Sequence, residues 1–205
     1  MKRIVWMAVL ALALPLAAFA GDVDFGNSGG TLTGNSAGLT LTGSNLTTVI
    51  GMGLGTCSTA APCGTMSFTT SGLISGDTVN GGTFDSGGTF TITSNGTDGI
   101  PAGTIFNGTF SGPVTWSHNG ATIGVVGSIE YTLSGRVTGT WSNGSTVAGT
   151  TIQITFNTGK NGFQGSVGLG SGDTIITTAP EPGTLGLLGT GLVGLAGIVR
   201  KKLKA

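Results

Sequence analysis

From Ile129 to Trp141 the chain alternates without a break: odd positions read Ile, Tyr, Leu, Gly, Val, Gly, Trp and even positions read Glu, Thr, Ser, Arg, Thr, Thr. A period of two sends successive side chains to opposite faces of an extended backbone. The segment therefore predicts one long strand with one dry face, bent at Gly135 or Gly139. Shorter runs repeat the pattern. Ile152, Ile154 and Phe156 alternate with Gln153 and Thr155, Phe90 and Ile92 with Thr89, Thr91 and Thr93, and Val114 and Trp116 flank Thr115. Further strands are expected near 39–42, 46–50, 66–70, 122–126 and 174–178, and Phe106 and Phe110 bracket Asn107-Gly108.

Composition supports sheets and removes the alternatives. Residues 21–179 hold 32 Thr and 35 Gly, a mixture suited to pleated surfaces joined by tight turns. Glycine costs about 1 kcal/mol in a helix interior, so a large helical protein is excluded. The glycines keep no three-residue period, which excludes collagen. Hydrophobic residues make up 38% of the chain at zero formal charge, which argues against charge-driven disorder. Asn-Gly pairs at 80–81, 95–96, 107–108, 119–120, 143–144 and 161–162, with Asp98-Gly99, supply the positive φ angles of hairpin turns.

One polar face per strand implies antiparallel sheets with their apolar faces buried together. An all-β, antiparallel β-sandwich, with a jelly roll among its variants, is the first architecture, and a closed barrel is the second. GGTF at Gly81–Phe84 and Gly87–Phe90, with NGTF at 107–110, gives too few copies for a solenoid. From Gly21 to about Gly64 the patterning is weaker, which predicts short edge strands or loosely packed chain.

Charge is sorted along the chain. All eight acidic residues lie between Asp22 and Glu181, whereas six of the eight basic residues sit at the two ends. Only Arg136 and Lys160 lie between, so residues 21–182 carry a formal charge of −6. Such a body cannot neutralise a row of phosphates, and nucleic-acid binding has no electrostatic basis.

At the first end, Lys2 and Arg3 precede the mostly apolar stretch from Ile4 to Leu16, and Ala18-Phe19-Ala20 places small residues where a signal peptidase reads. Residues 1–20 are thus expected to be a secretory signal peptide, cleaved after Ala20 to leave Gly21 first.

At the other end, Pro180-Glu181-Pro182-Gly183 forms a rigid break within the linker 179–183. Sixteen uncharged residues, 184–199, come next, and Arg200, Lys201, Lys202 and Lys204 close the chain. A helix of that length spans roughly 24 Å, short of a hydrocarbon core of about 30 Å. Snorkelling basic residues and local thinning can make up the difference. The expectation is one transmembrane helix over 184–199, with the basic tail 200–205 cytoplasmic and the β-rich domain 21–178 outside. Gly186, Thr190 and Gly194 fall at i+4 spacing, a candidate helix-packing face.

This order of Pro180-Glu181-Pro182, a short Gly/Leu-rich stretch and a basic cluster resembles the PEP-CTERM sorting signal of Gram-negative bacteria that build an exopolysaccharide matrix. The resemblance covers about residues 179–205. It implies that Pro180, Glu181 and Pro182 are recognition residues and that the chain is a substrate of exosortase, a membrane-embedded transpeptidase-like enzyme. Signal peptidase and exosortase are then the processing partners. The inner membrane is a transient anchor, and the cell surface or extracellular space is the destination. It implies nothing about residues 21–178.

Candidate chemistry in that body is sparse. Cys57 and Cys63 in an exported chain predict a small disulfide loop. The one histidine, His118, reads as an exposed turn residue. Asp22, Asp24 and Asp85 could offer oxygens to calcium but match no known loop, and no cofactor or resident metal is implied. Glu130 and Asp173 fall on separate strands. Tyr131 and Trp141 share parity with Ile129, Leu133 and Val137 and read as core. Asn45, Asn95, Asn107 and Asn143 begin N-x-[ST] triplets, most of which read as turn chemistry.

Three functions fit, in order. The first is a non-catalytic surface or matrix protein. The second is a carbohydrate-binding module for extracellular polysaccharide, which requires an exposed aromatic platform at Trp116 or Trp141. The third is a hydrolase, which requires two carboxylates facing each other across a cleft within about 10 Å.

Overall fold

The computed structural model describes residues 22–51, 57, 61–121, 128–159, 161–177, 191 and 194. Thirteen strands run in order: β1 (Asp22–Ser28), β2 (Thr31–Asn35), β3 (Gly38–Ile50), β4 (Gly64–Thr69), β5 (Leu73–Asp77), β6 (Gly81–Phe84), β7 (Thr89–Ser94), β8 (Gly103–Phe110), β9 (Val114–Ala121), β10 (Ser128–Trp141), β11 (Thr146–Gly159), β12 (Ser166–Gly168) and β13 (Ser171–Thr177). Residues Asp22–Thr177 form one compact unit.

All pairings are antiparallel, and the order β11-β13-β1-β3-β4-β7-β8-β10 returns to β11 through the β10–β11 ladder. Eight strands therefore close a barrel. The expected sandwich is corrected, while the all-β antiparallel class stands. Alternation states that each strand has one dry face. It does not distinguish two stacked sheets from one sheet rolled onto itself.

Closure is decided by how the long strands share their edges. One edge of β10 pairs along its length with β11, from Ser128 opposite Gly159 to Thr140 opposite Thr146. Its other edge is divided: Ile129–Ser134 pairs with β9, and Val137–Trp141 pairs with β8. β3 divides likewise, with Thr42–Gly38 along β2 and Ile50–Asn45 along β1. Two flaps leave the barrel at these divisions, β9-β6-β5 from β10 and β2-β12 from β3.

The dry face supplies the core. Phe68 on β4 and Phe156 on β11 meet across the interior with ring centroids 5.7 Å apart, and Phe156 packs on Trp116 at 6.0 Å. At the opposite end Trp141 packs on Phe106 at 4.6 Å and on Phe25 at 6.3 Å. Burying each such ring contributes on the order of 1.5–3 kcal/mol. The outer face carries hydroxyls. Thr65 bonds Thr93 at 2.8 Å, Thr69 bonds Thr89 at 3.2 Å, and Thr91 donates to Asn107 at 3.1 Å. Apolar inside and hydroxyl-rich outside, this wall is the reverse of a transmembrane barrel, whose lipid-facing band is apolar.

Other expectations divide. The 129–141 segment is β10 as anticipated. Within the weakly patterned 21–64 region, residues 22–51 are not loose: Phe25, Leu32, Leu39, Leu41 and Leu46 are fully buried, and the expected strands 39–42 and 46–50 are one strand, β3. Leu-Thr-Leu-Thr is alternation with threonine as the polar member, so its simplicity concealed a wall strand.

Asn107-Gly108 is not a turn but lies inside β8. Gly108 sits opposite Gly139. A Cβ on Gly108 would fall 2.6 Å from Val137 Cγ1, and one on Gly139 would fall 2.6 Å from the Asn107 carbonyl oxygen. These two glycines let β8 close onto β10. Asn143-Gly144 does form the expected hairpin tip between β10 and β11.

The expected strand 122–126, the signal peptide 1–20 and the Pro180-Glu181-Pro182 motif lie outside the described residues. Of the expected transmembrane helix 184–199, only Gly191 and Gly194 are described, both helical. Among the described residues no helix is long and apolar enough to cross a membrane.

Candidate functional site

The folded unit ends where it begins. β1 and β13 lie side by side, with Asp22 opposite Thr177 and Ser28 opposite Ser171. Alternation turns Val23, Phe25 and Asn27 inward from β1, and Ile176 and Thr174 inward from β13. Asp22 and Asp24 turn outward, as does Asp173.

Asp24 pairs with Ile175, and Gly26 pairs with Asp173, which makes the two carboxyls diagonal neighbours on adjacent strands. Partial burial, then a hydrogen bond to Asp173, then the like charge of Asp173 push the Asp24 carboxyl up to about 6. This is the one place where two acids meet among the described side chains of the wall, and nothing in the sequence joins positions so far apart. It does not make a hydrolase site, because the two carboxyls sit side by side on the outer wall rather than facing each other across a cleft.

The other sequence candidates are dispersed. Asp85 is exposed and its Oδ1 accepts from the Ser86 backbone N–H at 2.7 Å. Asp77, which the sequence did not single out, accepts from the backbone N–H groups of Asn80 at 2.6 Å and Val79 at 2.8 Å. These bonds, led by Asn80, hold its carboxyl below the usual range. Glu130 on β10 accepts from Asn119 Nδ2 at 3.0 Å. No group of three or more metal-ligating side chains occurs among the described residues.

The aromatics are core. Trp116 and Tyr131 are each 1% exposed and Trp141 is 7% exposed. Trp116 and Tyr131 stack at 4.7 Å, and His118 continues the stack on Tyr131 at 5.0 Å. The stack is fixed by its polar tips: Trp116 Nε1 donates to the Thr78 carbonyl at 3.0 Å, and the Tyr131 hydroxyl donates to the Val79 carbonyl at 2.9 Å. That hydroxyl also accepts from the Phe163 N–H at 3.2 Å. His118 is exposed as expected, but it lies within strand β9 rather than in a turn. With both tryptophans buried, the platform required for stacking against sugars is not formed by them.

Cys57 and Cys63 form the expected disulfide, with Cα atoms 5.7 Å apart. Asn95 and Asn143 serve turns as expected, their Oδ1 atoms accepting from the N–H groups of Thr97 at 3.1 Å and Ser145 at 2.9 Å. A polar cavity of about 310 Å³ between β2, β3 and Gly165 is lined by Thr33, Asn35, Thr40 and Thr70, with no charged or aromatic side chain.

These observations define a closed antiparallel barrel with a packed apolar interior and a hydroxyl-bearing outer face, whose first and last strands are neighbours. The recognisable signal lies just past the last strand: residues 178–201 match the PEP-CTERM protein-sorting motif. No curated protein and no solved structure matches the chain. The chain thus bears a PEP-CTERM sorting motif, and the motif implies export and processing by exosortase.

Proposed function

We propose that the chain is an exported surface or matrix protein of an exopolysaccharide-building Gram-negative bacterium, and that its barrel is a non-catalytic structural or adhesive unit. Signal peptidase cuts after Ala20, the segment 184–199 holds the chain in the inner membrane with Arg200, Lys201, Lys202 and Lys204 on the cytoplasmic side, and exosortase reads Pro180, Glu181 and Pro182. The observation that carries this reading is the sorting motif at 178–201, which begins at the residue after β13 ends. A hydroxyl-faced wall with few charges suits a unit that works in water beside neutral polymer.

Replacing Pro180, Glu181 and Pro182 with alanine in an exosortase-bearing host tests the reading. The variant is expected to keep its tail, seen as a mass higher by the uncut segment than the processed wild type, and both are expected to begin at Gly21. Identical processing of the two proteins would remove the sorting role.

A further inference from the structure

The ladder that joins the two ends of the barrel is unusual on both faces. Among the described residues, the two buried side-chain oxygens without a hydrogen-bond partner are Asp24 Oδ1 and Asn27 Oδ1, and both belong to β1. Inside, Asn27 is 2% exposed and lies opposite Gly172. A Cβ on Gly172 would fall 2.7 Å from Asn27 Oδ1, so the amide occupies the space that a side chain on β13 would fill. Its Nδ2 turns away to Ser44 on β3 at 2.7 Å. The next inward residue of β13, Thr174, is fully buried and donates to Met66 Sδ at 3.1 Å. The interior of this seam therefore sets two polar side chains, one with an unpartnered oxygen, among Val23, Phe25 and Ile176. An unpaired buried acceptor costs about 1–3 kcal/mol.

Outside, the Asp24–Asp173 contact needs a proton, because two ionised carboxylates have acceptors only. Asp22, exposed on the same face of β1, adds a third acid. The neighbouring positions on β3 are Thr47, Thr48 and Ile50, and those on β11 beyond β13 are Thr151, Gln153 and Thr155, none of which carries charge. Arg136, the only Lys or Arg among the described residues, stands on β10 with β11 between it and β13.

We propose that Asp24, set diagonally beside Asp173, is a proton-operated clasp, which shuts the β1–β13 seam while Asp24 holds its proton and lets it fray when Asp24 ionises. The sign comes from the raised carboxyl of Asp24. Its stabilising contribution is complete below the ordinary value of 3.8 and is lost as the pH rises through about 6. The seam is thus tightest in mild acid. Resting on the sorting proposal, the clasp has a consequence there: β13 leads into the PEP motif, so its fraying sets how much extended chain precedes the residues exosortase reads.

Hydrogen exchange of the full-length chain in detergent micelles, at about pH 5 and about pH 7.5 with intrinsic rates corrected, tests the clasp. Protection in 22–28 and 171–177 is expected to fall ~3-fold between the two conditions, less than the ~10-fold that the full shift of Asp24 would give, because water screens the outer wall. Protection in β7 and β8 is expected to hold. Asp24→Asn and Asp173→Asn each keep one neutral donor in the pair and are expected to hold the seam protected at both pH values. An unchanged seam, an equal loss across the whole wall, or a loss that persists in both variants would overturn the proposal. Should a variant fail to fold, the wild-type contrast between the seam and β7–β8 still decides. None of these measurements involves tail processing, so an inert sorting motif and a pH-insensitive seam are separate outcomes.

Discussion

Two ladders of the same barrel are built differently. β10 and β11 run together from Ser128 to Thr140, and the interior they cover holds Tyr131, Leu133, Val137, Ile152, Ile154 and Phe156, each at most 1% exposed. β1 and β13 meet only from Asp22 to Ser28, over an interior that includes Asn27, Gly172 and Thr174, with three acids, Asp22, Asp24 and Asp173, on the outer face. The first ladder joins strands adjacent in sequence through the hairpin at 142–145. The second joins strands that are the most distant in the folded unit, so it also carries the largest loop-closure entropy. A barrel can be strong along the hairpin that joins neighbouring strands and weaker along the seam that joins its two ends.

Phe156→Ala should test the strong ladder most severely. It removes the ring that links Phe68 to Trp116, and a loss of about 3–5 kcal/mol is expected in denaturant unfolding. A loss below about 1 kcal/mol would mean that the core does not depend on this ladder. Tyr131→Phe removes the hydroxyl held between the Val79 carbonyl and the Phe163 N–H and should lower stability by about 1–2 kcal/mol. The double change Asn27→Leu with Ser44→Ala should act in the opposite direction. It replaces an imperfectly paired buried couple by apolar groups, and a gain of up to about 1 kcal/mol is expected by the same measurement. A loss from the double change would show that the polar seam supports the fold rather than weakening it.

How far the sequence disclosed this molecule depended on the distance over which each feature is encoded. The β10 strand was legible because alternation is local, and so was the inward turn of Tyr131 and Trp141. The PEP motif was legible because its three parts are consecutive. The disulfide was legible because two cysteines close together in an exported chain have few other uses. Closure was not legible. Whether β10 divides one edge between β8 and β9 depends on the close approach of Gly108 and Gly139, and each glycine in isolation reads as a turn or a bend. The Asp24–Asp173 pair was hidden for the same reason, since only the pairing of the first strand with the last brings the two carboxyls together. In Leu39-Thr-Leu-Thr, low complexity obscured a regular period.

The neighbouring positions of Asp22 and Thr177 bear on how such a unit can be rearranged. A chain whose folded ends coincide can be spliced into a surface loop of another protein, or circularly permuted by bridging its ends and opening it at the exposed Asn143-Gly144 tip, without re-threading any strand. The barrel is in that sense a plug-in module: its architecture tolerates exchange of whatever is attached at that single point, whether leader, tail or host domain.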